Sequence, residues 1–164
     1  MLKVLFQFKA RSNQEILECL ASSGLDGSEA EGLAAIRTLN HTFVVDQIFK
    51  AHLTGTIHSF AGANTPETPA LADLKAQVVE LDQWYVDYVS TLPRAMLGEE
   101  VSFRFTDGKP GRMTREEVLA HLLAHGAYHR GAVGLILLRN GVTPPAETFT
   151  RYLHETEPTR RATN

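Results

Sequence analysis

The sequence predicts an all-α fold, a four-helix bundle with a short extended excursion before its last long helix. Four long segments show helical periodicity, and two of them begin with residues at capping-box spacing. A third carries an apolar seam at alternating spacings of three and four residues, as helices packed in bundles do. The chain has 164 residues, 43% of them hydrophobic, so we expect a single domain over residues 1–154 and a polar tail over residues 155–164.

The first two helices are predicted over residues 2–21 and over residues 28–53. Gly24 is placed to terminate the first helix, and Gly55 follows the second. Ser28 and Glu31 stand three residues apart, which is the spacing of a capping box with Ser28 as the N-cap residue.

The third helix has the clearest pattern. Thr68 fits the N-cap position and Pro69 the first helical position. A backbone N–H at that position has no acceptor within the helix, so proline costs no hydrogen bond there. Pro93 ends the helix, because proline cannot continue it. The apolar seam consists of Leu71, Leu74, Val78, Leu81, Tyr85, Tyr88 and Leu92.

The segment between the third and fourth helices does not have a helical residue pattern. Apolar and polar residues alternate over residues 101–105, and residues 107–111 form a turn signal, so we expect a short hairpin. The fourth helix is predicted from Thr114, with Glu117 completing a second capping box, to Arg139, with Gly141 as its stop. A short helix is predicted over residues 146–154.

Composition excludes several partners and compartments. Lys and Arg total 16 against 19 Asp and Glu, which gives a net charge of −3 and no clustered basic face, so no nucleic-acid partner is expected. The longest apolar run, residues 131–138, is far shorter than the ~20 residues of a membrane span. Residues 1–10 lack the apolar core of a secretory signal, and Cys19 has no disulfide partner in the chain, so we expect a cytoplasmic protein.

Histidines are the chemically informative residues. His121, His125 and His129 recur every four residues on the fourth helix, and residues at i and i+4 share one helix face. Two neutral imidazoles so placed can bind one metal ion, as either the His125/His129 pair or the His121/His125 pair. His41, in a core-facing stretch of the second helix, is the candidate third ligand. A single histidine on such a face is more often structural, so this spacing alone is a weak signal.

The sequence around these histidines resembles the DinB-like (damage-inducible) family, which includes metal-dependent thiol transferases. His41 follows Leu39-Asn40, and His125-Gly-Ala-Tyr-His129-Arg130-Gly131 lies late in the chain, after the 103–105 and 107–108 segments. The resemblance implies a four-helix bundle, usually dimeric, with a divalent metal held by His41, His125 and His129. Family members often have Gln after the Arg-Gly pair, but here Ala132 stands there.

Three residues near the proposed ligands are candidates for catalysis. His121 competes with His129 as a ligand and is otherwise a pocket residue. Tyr128 either lines the pocket or packs, and Arg130 either forms a structural ion pair or binds an anionic substrate. Asp46 is five residues from His41, on another face of the helix, and is free to pair with Arg130 or to orient a histidine from another helix.

Three histidines leave at least one coordination position of a metal ion open, which is typical of catalytic rather than structural sites. Zinc and nickel both suit imidazole ligands. We therefore expect a metal-dependent enzyme acting on a small molecule, either a transferase using a low-molecular-weight thiol or a hydrolase. The alternatives are a non-catalytic metal- or ligand-binding stress-response protein and a structural helical dimer with incidental histidines.

Overall fold

The computed structural model describes residues 1–25 and 27–162. The chain is mostly helical, with a small antiparallel hairpin between its third and fourth long helices. The helices are α1 (Leu2–Ser22), α2 (Ala30–Thr54), α3 (Leu71–Thr91), α4 (Arg115–Arg139), α5 (Phe149–Thr156) and α6 (Pro158–Arg161), with a 3₁₀ turn at Arg94–Gly98 and strands β1 (Glu100–Arg104) and β2 (Pro110–Thr114).

The predicted N-cap residue of the second helix is wrong, although the helix begins at Ala30, near its predicted start. Its N-cap residue is Glu29, one position after Ser28, and the Glu29 side chain makes no capping hydrogen bond. The preceding loop runs so close to the first turn that a Cβ added to Gly32 would lie 2.8 Å from the Gly27 nitrogen. A side chain at position 32 would therefore not fit against the loop that enters α2.

The predicted start of the third helix is also wrong, although its seam is confirmed. The helix begins at Leu71 with Ala70 as N-cap, and the Thr68 hydroxyl accepts a hydrogen bond from Arg37 Nη1 at 3.2 Å instead of capping the helix. The seam residues Leu74, Val78, Leu81 and Tyr85 are buried. The helix ends at Thr91, two residues before Pro93, as predicted.

The hairpin and the start of α4 are as predicted. Glu100 pairs with Thr114 and Phe103 with Gly111 in the antiparallel register. The Thr114 hydroxyl accepts from the Glu117 backbone N–H at 3.2 Å, and the Glu117 carboxylate accepts from the Thr114 N–H at 2.7 Å, which completes the capping box. Gly141, at φ +75°, follows the last turn of α4.

The short helix near the C-terminus lies slightly later than the predicted 146–154. Phe149 and Tyr152 of α5 pack their rings on Phe8 of α1, at centroid distances of 5.2 and 5.5 Å. In the predicted polar tail, residues 158–161 form α6, and Thr163 and Asn164 lie outside the described residues.

The long helices pack in a closed arrangement around one core. Helices α1 and α2 each pack against both α3 and α4, and the hairpin lies against α2 and α4. Apolar side chains from all four helices and from β1 fill the centre. Among the described residues, no helix has both the length and the apolar character that crossing a bilayer requires.

A buried ionic network crosses this core. Lys9 of α1 donates to Asp46 of α2 and to Asp82 of α3, both at 2.7 Å, and its side chain is 1% exposed. Burial lowers the pKa of the Lys9 ammonium, but the two carboxylates outweigh burial and hold that pKa above its ordinary value. Asn13 of α1 donates to Asp82 and accepts from Arg130 of α4, both at 2.8 Å. The network therefore joins all four long helices.

Replacing Lys9 by Met leaves two buried carboxylates without their cation, which typically costs about 3–5 kcal/mol. We expect Lys9→Met to lower the free energy of unfolding by that amount in urea titrations followed by circular dichroism. The matched control is Lys75→Met, because Lys75 pairs with Glu18 at 3.2 Å on the exposed surface. That change should cost less than about 1 kcal/mol. Equal losses in the two variants would contradict a structural role for the network.

Candidate metal centre

The predicted ligands come from the two helices that face each other across the site. His125 and His129 lie one turn apart on α4, and His41 lies in the middle of α2, which packs against α4. On α4 the neighbouring positions Leu122, Gly126 and Arg130 are buried, so the histidine face borders the core without entering it. Each of the three imidazoles is partly buried.

The structure brings His41, His125 and His129 together. One nitrogen of each ring can be chosen so that all three lie within 4.8 Å of one another. The His41 and His125 Nε2 atoms are 3.1 Å apart. No other histidine, cysteine or carboxylate joins this group in the part of the chain that the structure describes.

The shortest of these distances matches the spacing of two ligands on one metal ion. Nitrogens bound to one ion at about 2.1 Å are about 3.0 Å apart at a right angle and about 3.4 Å apart at a tetrahedral angle. The separation of 3.1 Å between His41 and His125 lies in this range. The donor set of three neutral imidazoles suits zinc, nickel and other late divalent metals. The three residues could therefore hold a metal ion.

The orientation of His41 is set by a residue that the sequence does not reveal as functional. Ala63, in the loop between α2 and α3, accepts a hydrogen bond from His41 Nδ1 at 2.8 Å through its backbone carbonyl. A carbonyl only accepts, so Nδ1 carries the proton and the Nε2 lone pair points toward the other two histidines. A backbone contact of this kind leaves no signature in the side-chain sequence.

His125 is held in its neutral form. Burial is the largest cause that lowers its pKa to about 4, and the neighbouring His129 and His41 act in the same direction. Burial also lowers the pKa of His129. His125 Nδ1 is buried without a hydrogen-bond partner among the described residues. A histidine that resists protonation keeps its lone pairs available to a metal ion near neutral pH.

His121 stands beside the triad but outside it. Its ring stacks on His125 with centroids 5.3 Å apart, and it also contacts Phe49 of α2 at a centroid distance of 5.3 Å. Of the two spacings that the sequence leaves open, the geometry thus brings His125/His129, rather than His121/His125, to His41. His52 and His58 pair with each other instead, at 5.2 Å.

Arg130 and Asp46 belong to the buried network instead of the site. The Arg130 guanidinium donates to both carboxylate oxygens of Glu147 and to Asn13, and its side chain is 4% exposed. The structure therefore shows the ion pair and not a free anion-binding group. Asp46 pairs with Lys9, so the expected pairing with Arg130 or with a histidine is wrong.

Tyr128 points outward. It is 76% exposed, and its ring meets the His129 ring edge-on at 5.1 Å. The side chain is thus placed at the rim next to a proposed ligand, and it contributes little to the packing of the core.

Comparison with protein families gives one match that covers nearly the whole chain. The model described as the DinB family matches residues 2–161. Comparison with curated proteins and with solved structures gives no match.

The lowered histidine pKa values predict how stability depends on pH. An unfolded histidine titrates near 6.5, whereas folded His125 titrates at about 4, so between these values the unfolded chain binds more protons. The contribution of His125 to the free energy of unfolding is therefore fully present above pH 6.5 and is lost as pH falls toward 4. We expect the free energy of unfolding of the metal-free chain, held in chelator, to fall from pH 7 to pH 5. The His125→Gln variant should show a shallower fall in the same urea titrations, and an unchanged slope would contradict the assignment.

Proposed function

Because this chain belongs to the DinB family, we propose that it is a divalent-metal-binding protein with an open three-histidine site. We propose further that it is a metal-dependent enzyme acting on a small molecule, by thiol transfer or by hydrolysis. The observation that carries the proposal is the convergence of His41, His125 and His129 without a fourth protein donor among the described residues. Closed structural zinc sites use four protein ligands, so three donors favour an exchangeable position.

The chemistry follows from the open position. A bound divalent ion supplies a Lewis acid that lowers the pKa of a coordinated thiol or water. In thiol transfer, the sulfur attacks an electrophilic carbon, a C–S bond forms, and the leaving group departs with its bonding electron pair. The thiol proton passes to a base, and we assign this role to His121, whose imidazole contacts the triad without belonging to it. The His121 side chain is exposed, so a proton that it accepts can pass on to solvent.

Zinc and nickel are the ions that we propose, because both bind imidazole well and neither requires a carboxylate. We also propose that α1 to α4 form a four-helix bundle, which the mutual packing of the four helices supports. A bundle places ligands from facing helices in a rigid frame. A cytoplasmic location accords with the single thiol Cys19 and with a small thiol as co-substrate.

Cobalt(II) tests the open site directly. We expect the cobalt-loaded protein to change its visible spectrum when a small thiol is added, because the thiol enters the ion's coordination sphere. The His129→Ala variant should lose tight metal binding while keeping its helical circular dichroism, because the core does not depend on the metal. His121→Ala is the matched control on the same helix, and it should still bind the ion. Loss of binding in His121→Ala with retention in His129→Ala would reverse the ligand assignment.

A turnover screen separates the enzyme from the non-catalytic alternative. Metal-loaded protein should consume a thiol in the presence of an electrophile, and the His121→Ala variant should react more slowly while binding the ion normally. Metal and thiol binding without turnover across thiols and hydrolysable esters would make the protein a non-catalytic binder, of the kind expected in a stress response.

We propose a homodimer as the assembled form. Two-fold dimers are the commonest homo-oligomers, and exposed apolar side chains such as Leu135 and Leu138 of α4, which are 49% and 56% exposed, accord with a partner surface. Sedimentation at micromolar concentration should give a mass about twice the 18.1 kDa of one chain. A species of one chain's mass at every concentration would refute the dimer.

A further inference from the structure

A second feature lies next to the histidine triad. A cavity of about 350 Å³ opens between α2, α4 and the hairpin. Its walls include the rings of Phe49, Phe103 and Phe105, together with aliphatic side chains of α2 and Met113 of β2. This volume is at the small end of the range of ligand sites, about 300–1,000 Å³, so it suits a ring-sized group rather than a polymer.

The cavity borders the candidate metal centre. His125 lines it, and so does Ala63, whose carbonyl accepts the hydrogen bond from His41. A molecule lying in the cavity therefore lies against one of the three proposed metal ligands.

The chemical character of the walls restricts what can enter. Among the described residues that line the cavity there is no carboxylate, lysine or arginine, and the only titratable side chains are His52, His121 and His125. A charged group placed there would lose its hydration without gaining an ion-pair partner, which is unfavourable. An apolar group would exchange water for aromatic and aliphatic contacts, which is favourable.

The aromatic walls consist of rings packed against one another, and Gly111 on the opposite strand leaves space for the Phe103 ring. Phe49 meets Phe103 edge-on at 5.6 Å, and Phe103 meets Phe105 at 5.1 Å. Phe103 pairs across the hairpin with Gly111, and a Cβ at Gly111 would lie 2.5 Å from the Phe103 ring. Phe105 is 49% exposed, whereas the Phe103 ring is already stacked on His52 with centroids 4.8 Å apart. The exposed Phe105 ring is the one best placed to contact an aromatic group of a ligand.

We infer that this cavity is the specificity pocket of the metal site and takes an uncharged, aromatic or similarly compact apolar group of the substrate. The metal-binding or reactive end of the same molecule then lies beside His125. In the thiol-transfer version the apolar group belongs to the electrophile, since a hydrophilic thiol gains nothing from these walls. This inference rests on the proposed function for the role of the ion, but the cavity itself is tested separately.

Two hydroxamates test the pocket in the cobalt-loaded protein. Benzohydroxamate and acetohydroxamate carry the same metal-binding head but differ in a phenyl ring against a methyl group. We expect benzohydroxamate to bind at least about tenfold more tightly by calorimetry, because only its ring fills the cavity. Equal affinity for the two hydroxamates would overturn the inference.

Variants of the cavity walls then test whether the cavity causes the preference for benzohydroxamate. Ala63→Leu fills the cavity from its wall, and its matched control is Ala61→Leu, an exposed position in the same loop. We expect Ala63→Leu to reduce the ratio of the two hydroxamate affinities to less than about threefold, while Ala61→Leu keeps the full preference. Phe105→Ala, at the exposed mouth, should weaken the preference without affecting the fold. A preference retained in both Ala63→Leu and Phe105→Ala would place the ring elsewhere and overturn the inference.

A neutral probe separates this inference from the proposed function. 4-Fluorotoluene has no metal-binding group, so its binding to the metal-free chain, followed by fluorine NMR, reports the cavity alone. Binding that is lost in Ala63→Leu supports the cavity even if the chain holds no metal ion, in which case only the proposed function fails. Metal binding by the wild-type chain together with no 4-fluorotoluene binding and no hydroxamate preference would overturn the pocket and leave the metal site standing.

Discussion

The buried ion pairs of Lys9 with Asp46 and Asp82 are the constraint on which the rest of the structure depends. A buried charge must be paired, and the pairing here is possible only at one relative rotation and height of the helices that supply it. Asp46 lies five residues after His41 on α2, and Arg130 directly follows His129 on α4. The network therefore ties α2 and α4 to α1 within one to two turns of the proposed ligands, and the register that it holds is compatible with the convergence of the histidines.

The same network shapes the electrostatics of the site. Lys9 of this network is one of the charges that lower the pKa of His125, although burial is the largest cause, and so it helps to keep that imidazole neutral. Gly126, next to His125, makes the proximity of the network to this histidine possible, because a Cβ there would lie 2.9 Å from Arg130 Nη1. Gly126 thus contributes to the buried network that supports the site and not to the site itself.

The parts of the fold that were predictable from the sequence are those that local chemistry determines. The seam of α3, the Thr114–Glu117 capping box and the hairpin turn depend on neighbours within a few residues, and each is found as predicted. Ser28 and Thr68 are residue types typical of N-caps, but the N-cap residues of α2 and α3 are Glu29 and Ala70. The Thr68 hydroxyl instead accepts from Arg37, a contact 31 residues away along the chain that local pattern does not reveal. The role of Arg130 was undecidable because its partners are 17 and 117 residues away. Lys9 and Asp82 were missed altogether, because a charge on a helix is ordinarily solvated.

The hairpin adds aromatic, apolar side chains to the surroundings of the candidate site. Two packed helices provide the nitrogen donors, but on their own they would leave the triad at an open surface. The extended segment between α3 and α4 lies against both α2 and α4, and it sets Phe103 and Phe105 beside His125. In the proposed pocket, nitrogen donors on one side and aromatic walls on the other would bind the two ends of one molecule by different interactions, so affinity for the metal-binding end and selectivity for the apolar end would vary independently. A change in the hairpin would then alter which molecules reach the ion, while the register held by Lys9 keeps the donors in place.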